Sequence, residues 1–230
     1  QGECVMTHII YDGNSLLDGK PIVVIAIPKS SNDKTGNMVQ TFIICKDTDP
    51  ITASRRGEDY SICGNCVHRG VPNFKKNSGG ADKRSCYVML LGVLSVYKAY
   101  KKGNYTLAQG HNDIAQLGAD REVRLGTYGD TSAVPSYVWD SLLSKSSGRT
   151  GYTHQHNVEG ADVRPDLCMI SADTLEQAEY HWSLGHRTFR VGKSIDDMVK
   201  GKEILCPASE EAGRRTNCKK CKLCSGNTIN

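Results

Sequence analysis

EVRLGTYGDTSAVPSYVWDSLLSKSSGRTGYTHQ, residues 122–155, decides the fold. Its opening, Glu122 to Gly129, predicts a short strand that ends in Gly-Asp. In VPSYVWDSLLSK, Pro135 falls in the first turn of a predicted helix, where its missing N–H costs nothing. RTGYTHQ, Arg149 to Gln155, predicts a second strand. Strand, helix and strand at this interval make a βα unit. The pattern continues downstream. LCMISAD (Leu167 to Asp173) reads as a third strand, and TLEQAEYHWSLGH as a helix with Leu175, Ala178 and Trp182 on one face and Gly185 at its end. Asp173 with Glu176 resembles a capping box at that helix start. RTFRV (Arg187 to Val191) is a fourth strand. Right-handed crossovers would lay the four side by side. The expected class is therefore α/β: a partial (βα) barrel or an open parallel sheet, short of eight strands.

Working back from this core, GVLSVYKAYKKGN (Gly92 to Asn104) predicts a helix with Val93, Val96, Tyr97 and Tyr100 on one face and Gly103 as its stop. PIVVIAI (Pro21 to Ile27) and MVQTFIIC (Met38 to Cys45) predict an antiparallel hairpin joined by the connector KSSNDKTGN. Asp47 to Gly80 shows little periodicity and reads as an irregular segment organised by metal ligands. The expected parts are 1–90, a β-hairpin with an irregular Cys-containing segment; 91–192, a βα-repeat core; and 193–230, a Cys-rich metal-binding tail. Together they form one integrated domain.

No stretch approaches the roughly 18 to 20 apolar residues that cross a bilayer, which excludes a helical membrane protein. The opening QGECVMTHII shows neither a basic nor an apolar leader region, so no secretory signal is expected. The net charge of +4 permits contact with nucleic acid without requiring it.

Ten cysteines are the anomaly. A chain this long needs no disulfide framework, and the cysteines are clustered as metal ligands are. The strongest motif is Cys206-Pro207, then Cys218-x2-Cys221-x2-Cys224. Three cysteines at two-residue intervals wrap three corners of a cubane, and a remote Cys-Pro supplies the fourth, the pieces used in bacterial ferredoxins. Here the Cys-Pro precedes the triplet. A [4Fe-4S] cluster is the expected cofactor, with structural Zn2+ as the competing reading, since Cys4 zinc sites also use C-x2-C pairs. Cys63-x2-Cys66 and the later Cys86 form a second metal-binding set. His68 can complete a Cys3His zinc site, the three thiols can hold a second cluster, or Cys63 and Cys66 can join two tail cysteines in one zinc ribbon. Cys4, Cys45 and Cys168 read as buried small hydrophobes. Arg214, Arg215, Lys219, Lys220 and Lys222 surround the tail motif. They read as a solvated run, as cations that raise a cluster's potential, or as a phosphate-contacting patch.

Several of these segments resemble one family. GNSLLDGKPIVV, C-G-N-C with a later S-C-Y, LSVYKAYKKGNY, VRLGTYGD, RTGYTHQ and the closing C-P…C-x2-C-x2-C occur in order over most of the chain. In these the sequence is similar to the gene-product-88-like group of phage-encoded proteins. The resemblance implies a phage or prophage origin, a βα-rich core and cysteine-bound metal, with iron–sulfur favoured. It places the protein in the cytoplasm of the infected bacterial host. Members of the group also resemble fragments of radical-enzyme barrels. This chain lacks the compact C-x3-C-x2-C of enzymes that cleave S-adenosylmethionine, so the resemblance brings no reaction with it.

Three functions are compatible with these features: an iron–sulfur protein with redox or enzymatic work, a zinc-stabilised module that binds nucleic acid or a host protein, and a virion or scaffold component stapled by metal. For the first, a pocket is expected beyond the C-terminal strand ends. Those ends carry Tyr128, Gly129 and Asp130, then His154 and Gln155, Ser171 and Asp173, and Arg190 and Gly192. Gly129 would let the backbone approach a ligand. Asp130 and His154 are the catalytic candidates, a carboxylate and an imidazole able to exchange protons or orient a substrate. The alternative for Asp130 and Asp173 is a helix cap, and for Arg190 a carboxylate pair.

Overall fold

Ile22 to Ala26 are wholly excluded from solvent, because their strand, β2 (Pro21–Ile27), lies inside a sheet covered on both faces. This explains the uninterrupted apolar run. In the computed structural model, residues 8–28 and 35–227 are described; Cys4 and most of the hairpin connector lie outside the described residues. β1 (His8–Asn14) pairs antiparallel with β2, and β2 pairs antiparallel with β3 (Val39–Cys45). β4 (Thr106–Leu107) runs parallel to β1. On the other side, β5 (Glu122–Tyr128) runs parallel to β3, and β6 (Gly148–Thr150) parallel to β5. The result is a mixed six-stranded sheet in the order β4-β1-β2-β3-β5-β6. The expected hairpin exists, but it is continuous with the parallel strands rather than standing before them. The β3–β5 register shifts near Thr41, whose hydroxyl fills the gap in the ladder: it donates to the Arg124 carbonyl (3.0 Å) and accepts the Gly126 N–H (2.9 Å).

β7 (Tyr152–Thr153), β8 (Met169–Ala172) and β9 (Thr188–Arg190) form a second, parallel sheet in that order. The segment predicted as one strand from Arg149 changes sheets at Gly151. There the Gly151 N–H donates to the Cys224 carbonyl and the Gly151 carbonyl accepts from Met169 N–H, each at 3.0 Å. The tail thus docks at the seam between the two sheets.

The helices are α1 (Pro50–Arg56), α2 (Tyr60–Cys63), α3 (Leu90–Lys101), α4 (His111–Gly118), α5 (Ser136–Leu143), α6 (Leu175–Ser183) and α7 (Cys218–Cys221). α1 corrects the irregular reading of Asp47 to Gly80. Asp49 caps it by accepting the Ile51 and Thr52 N–H groups, Pro50 occupies its first turn, and Gly57 ends it in a left-handed conformation. A second correction concerns the connection from β7 to β8, which contains no helix, so strand–helix alternation is incomplete. One apolar cluster, from Ile9 through Val93 and Trp139 to Cys168, joins the hairpin and the βα strands. Among the described residues, no helix is long and apolar enough to cross a membrane.

Candidate metal centres at the tail and at the strand ends

The tail motif folds around a single turn. Asn217 caps α7 by accepting the Lys220 N–H, so Cys218 and Cys221 sit one turn apart. Lys222 then adopts a left-handed conformation (φ 54°), which reverses the chain and returns Cys224 toward the other two. Cys206, Cys218, Cys221 and Cys224 line one cavity, walled by Tyr152 and Phe189, whose rings stand 4.8 Å apart. The Tyr152 hydroxyl donates to the Cys224 sulfur at 3.0 Å. Burial pushes the Cys224 thiol above its usual range, and the Tyr152 hydrogen bond works against that rise.

Beside this cavity Arg124 is buried (5 % exposed), its guanidinium 4.5 Å from the Tyr152 ring centroid and 3.0 Å from the Tyr87 hydroxyl. Among the described residues no carboxylate comes within ion-pair distance of it. Burial works against its charge, and the Tyr87 and Tyr152 hydroxyls, then Cys218, act in its favour. Lys219 and Lys222 approach Glu122 at 3.6 and 3.5 Å, and Arg214 pairs with Glu210. Much of the basic run is therefore matched locally.

Cys66 and Cys86 act electrostatically on Cys63, but among the described residues the three sulfurs are not gathered within 4.8 Å of one another. Burial first, then Asp59, Cys66 and Cys86, raises the Cys63 thiol well above its usual range; burial pushes Cys66 up to about 12. Thiols in this state bind metal as thiolates, giving an electron pair to the ion and releasing their protons to solvent. The C-G-N-C loop is held by Gln155, which is fully buried: its Nε2 donates to the Cys63 carbonyl (2.8 Å) and to Asp130 Oδ2 (3.1 Å), while its Oε1 accepts the Asn65 N–H (3.0 Å). A side chain at Gly64 would strike the Gln155 amide at 2.0 Å, and Gly64 is itself at positive φ, so the loop needs glycine there. All nine described cysteines are free, and Cys45 and Cys168 are buried as expected.

The catalytic candidates separate. Asp130 is buried and accepts three hydrogen bonds, from Ser132 N–H, His154 N–H and Gln155 Nε2. It caps the turn Thr131–Ala133 and grips the His154 backbone, not the imidazole. Asp130 is a clamp whose oxygens take N–H groups of the neighbouring backbone and of Gln155. Gly129 likewise serves packing rather than a ligand, since a Cβ there would meet Ile43 Cβ at 2.7 Å. Arg190 is bound by both oxygens of Glu203.

The imidazole of His154 instead faces Asp173, with Nε2 at 3.5 Å from Oδ1; His68 Nε2 stands 3.7 Å from the same oxygen. The cap reading of Asp173 is corrected: Thr174 caps α6 by accepting the Gln177 N–H, and the Asp173 carboxylate is left for the two imidazoles. The signal was in the sequence, because Asp173 and Thr174 are consecutive cap-forming residues and only one can occupy the cap. Burial lowers the pKa of His154, against the opposing pull of Asp130 and Asp173, and so favours the neutral ring. The other nitrogen of His68, Nδ1, meets the Ser85 hydroxyl at 2.8 Å. His68 therefore faces the carboxylate, and among the described residues it does not join the three cysteines in a Cys3His group.

In comparisons with known proteins the chain matches no family model, no curated protein and no solved structure.

Proposed function

We propose that the protein is an iron–sulfur protein in which Cys206, Cys218, Cys221 and Cys224 hold one [4Fe-4S] cluster on a partial (βα) barrel. The supporting observation is that Cys206, Cys218, Cys221 and Cys224 line one cavity. Three cysteines at two-residue intervals with a remote Cys-Pro are the pieces that hold a cubane in bacterial ferredoxins.

The surroundings fit an anionic group. Arg124 contributes a buried positive charge, Tyr152 a hydrogen bond to a ligand sulfur, and the Tyr152 and Phe189 rings keep water from one side. The bound cluster would accept and return one electron. Both Arg124 and the Tyr152 hydroxyl favour the reduced form, because each opposes accumulating negative charge. Cys63, Cys66 and Cys86 belong in this reading to a second thiolate metal centre. Arg124 lies between the two sets: it reaches Tyr87, the residue after Cys86, on one side and Tyr152, the hydrogen-bond partner of Cys224, on the other. The motif resemblance supports a phage origin and a place in the cytoplasm of the infected bacterium, a reducing compartment in which free thiols persist.

Anaerobic purification followed by iron, sulfide and zinc analysis tests the proposal. About four iron and four sulfide per chain at the tail site, with broad absorption near ~400 nm, are expected. Both are lost from the tail in Cys218→Ser and Cys224→Ser. Stoichiometric zinc with negligible iron overturns it.

A further inference from the structure

Three side chains from three separate segments converge at the strand ends: His68 from the loop after α2, His154 after β7, and Asp173 after β8. One ligating atom from each lies within 4.8 Å of the other two. We propose that His68, His154 and Asp173 bind a divalent first-row transition ion of the Zn2+ or Fe2+ class, leaving a coordination position for water. This site is distinct from the tail cavity and does not depend on a cluster there.

The distances carry the argument. A nitrogen–oxygen hydrogen bond has its atoms 2.7–3.2 Å apart, and both imidazole–carboxylate separations, 3.5 and 3.7 Å, exceed that range. Ligands about 2.1 Å from a tetrahedral ion stand ~3.4 Å apart. The observed spacing matches such an edge better than it matches a direct hydrogen bond. Two imidazoles and one carboxylate form a ligand set of intermediate hardness, suited to zinc or ferrous iron and not to calcium or magnesium.

Each ligand is also held from outside the group. The Ser85 hydroxyl occupies His68 Nδ1, which leaves Nε2 to point at Asp173. Asp130 accepts the His154 N–H at 2.7 Å and so fixes the backbone that carries the ring. The Asp173 N–H donates to Gln177 at 2.8 Å, and Thr174 has taken over the cap. Such supporting bonds orient metal ligands and set their tautomers. The three side chains are 20–26 % exposed, enough for water to reach the ion. Three protein ligands with one open position is the pattern of catalytic rather than structural zinc.

The test is Co2+ binding to the full chain, purified anaerobically and cleared of loosely held metal. Beside whatever cobalt the cysteine sets take up, wild type should bind one equivalent whose d–d absorption depends on His154 and Asp173 and carries no thiolate-to-cobalt charge transfer. His154→Ala and Asp173→Asn should each weaken binding by about 100-fold or more, and Ser85→Ala by ~10–100-fold. Circular dichroism on the same samples verifies that each variant is folded, and Ser85→Ala leaves all three ligand side chains in place, removing only the hydroxyl against His68 Nδ1. Equal cobalt binding by wild type and all three variants overturns the proposal. So does cobalt whose d–d and charge-transfer absorption both survive His154→Ala and Asp173→Asn and disappear together in Cys63→Ser, which would put the ion on the cysteines. Iron and sulfide measured in the same preparations score the tail cluster separately, so either reading can fail alone.

Discussion

Replacing Gln155 with alanine should cost about 3–5 kcal/mol of stability, because three hydrogen bonds in a fully buried place end together. The Asn65 N–H loses its partner, an orphaned donor worth about 1–3 kcal/mol. The bond to Asp130 is charge-assisted and contributes about 1.5–3 kcal/mol. The Cys63 carbonyl suffers least, since it also accepts the Cys66 N–H at 3.1 Å. With a urea slope of about 2–3 kcal/mol per molar, the midpoint should fall by about 1–2 M. Amide exchange at Asn65 should rise more than at β2. Gln155→Glu sharpens the test. Its new carboxyl would lie beside Asp130 Oδ2 in a buried place, so its folded pKa is raised above the ordinary value of about 4.3. A raised folded pKa means that stability is retained below about pH 4 and lost as pH rises. The deficit of Gln155→Glu relative to wild type should therefore grow toward neutrality. A loss under about 1 kcal/mol for Gln155→Ala, with Asn65 exchange unchanged, would refute the idea that Gln155 holds the C-G-N-C loop.

Two further outcomes follow from the same geometry. Thr174→Ala should cost about 1 kcal/mol through loss of the α6 cap, whereas Asp173→Ala should leave urea stability nearly unchanged; the reverse order would return the cap to Asp173. Burial, with His156 and His186 close by, lowers His181 from 6.5 to about 4. The unfolded chain then binds the extra proton first, so stability is complete above about pH 6.5 and falls as pH drops toward 4. Thermal melts across that interval should show the slope in wild type and a shallower one in His181→Leu.

The parallel strands were legible because short segments around them alternate with amphipathic helices that carry clear start and stop residues. β5, β8 and β9 appear within a residue or two of their expected limits. β1 escaped notice since HIIYDGN ends in the turn-forming Asp-Gly-Asn and is half-exposed. α1 escaped for the opposite reason: its caps, Asp49 with Pro50 and then Gly57, were plain, but seven residues are too few to display a helical period. At the strand ends the sequence named His154 and Asp173 but gave Asp173 to a helix cap that Thr174 holds. Nothing in linear order reveals that Asp130 turns to a backbone N–H, or that His68, from far upstream, completes the group. Arg124 went unnoticed because an arginine in a strand reads as a solvent-facing residue. Only the sheet's closure by Tyr87 and Tyr152 makes it a buried charge.

The seam at Gly151 gives the molecule a built-in reporter. The Gly151 amide, between β6 and β7 where the chain passes from one sheet to the other, finds its acceptor in the carbonyl of Cys224. On the proposed cluster reading, filling the tail's ligand set and closing that gap are a single event. Were an emptied tail to lift away, the Gly151 N–H would lose its acceptor. Its deuterium uptake, read against that of β2, tells a loaded tail from an empty one without any view of the metal itself.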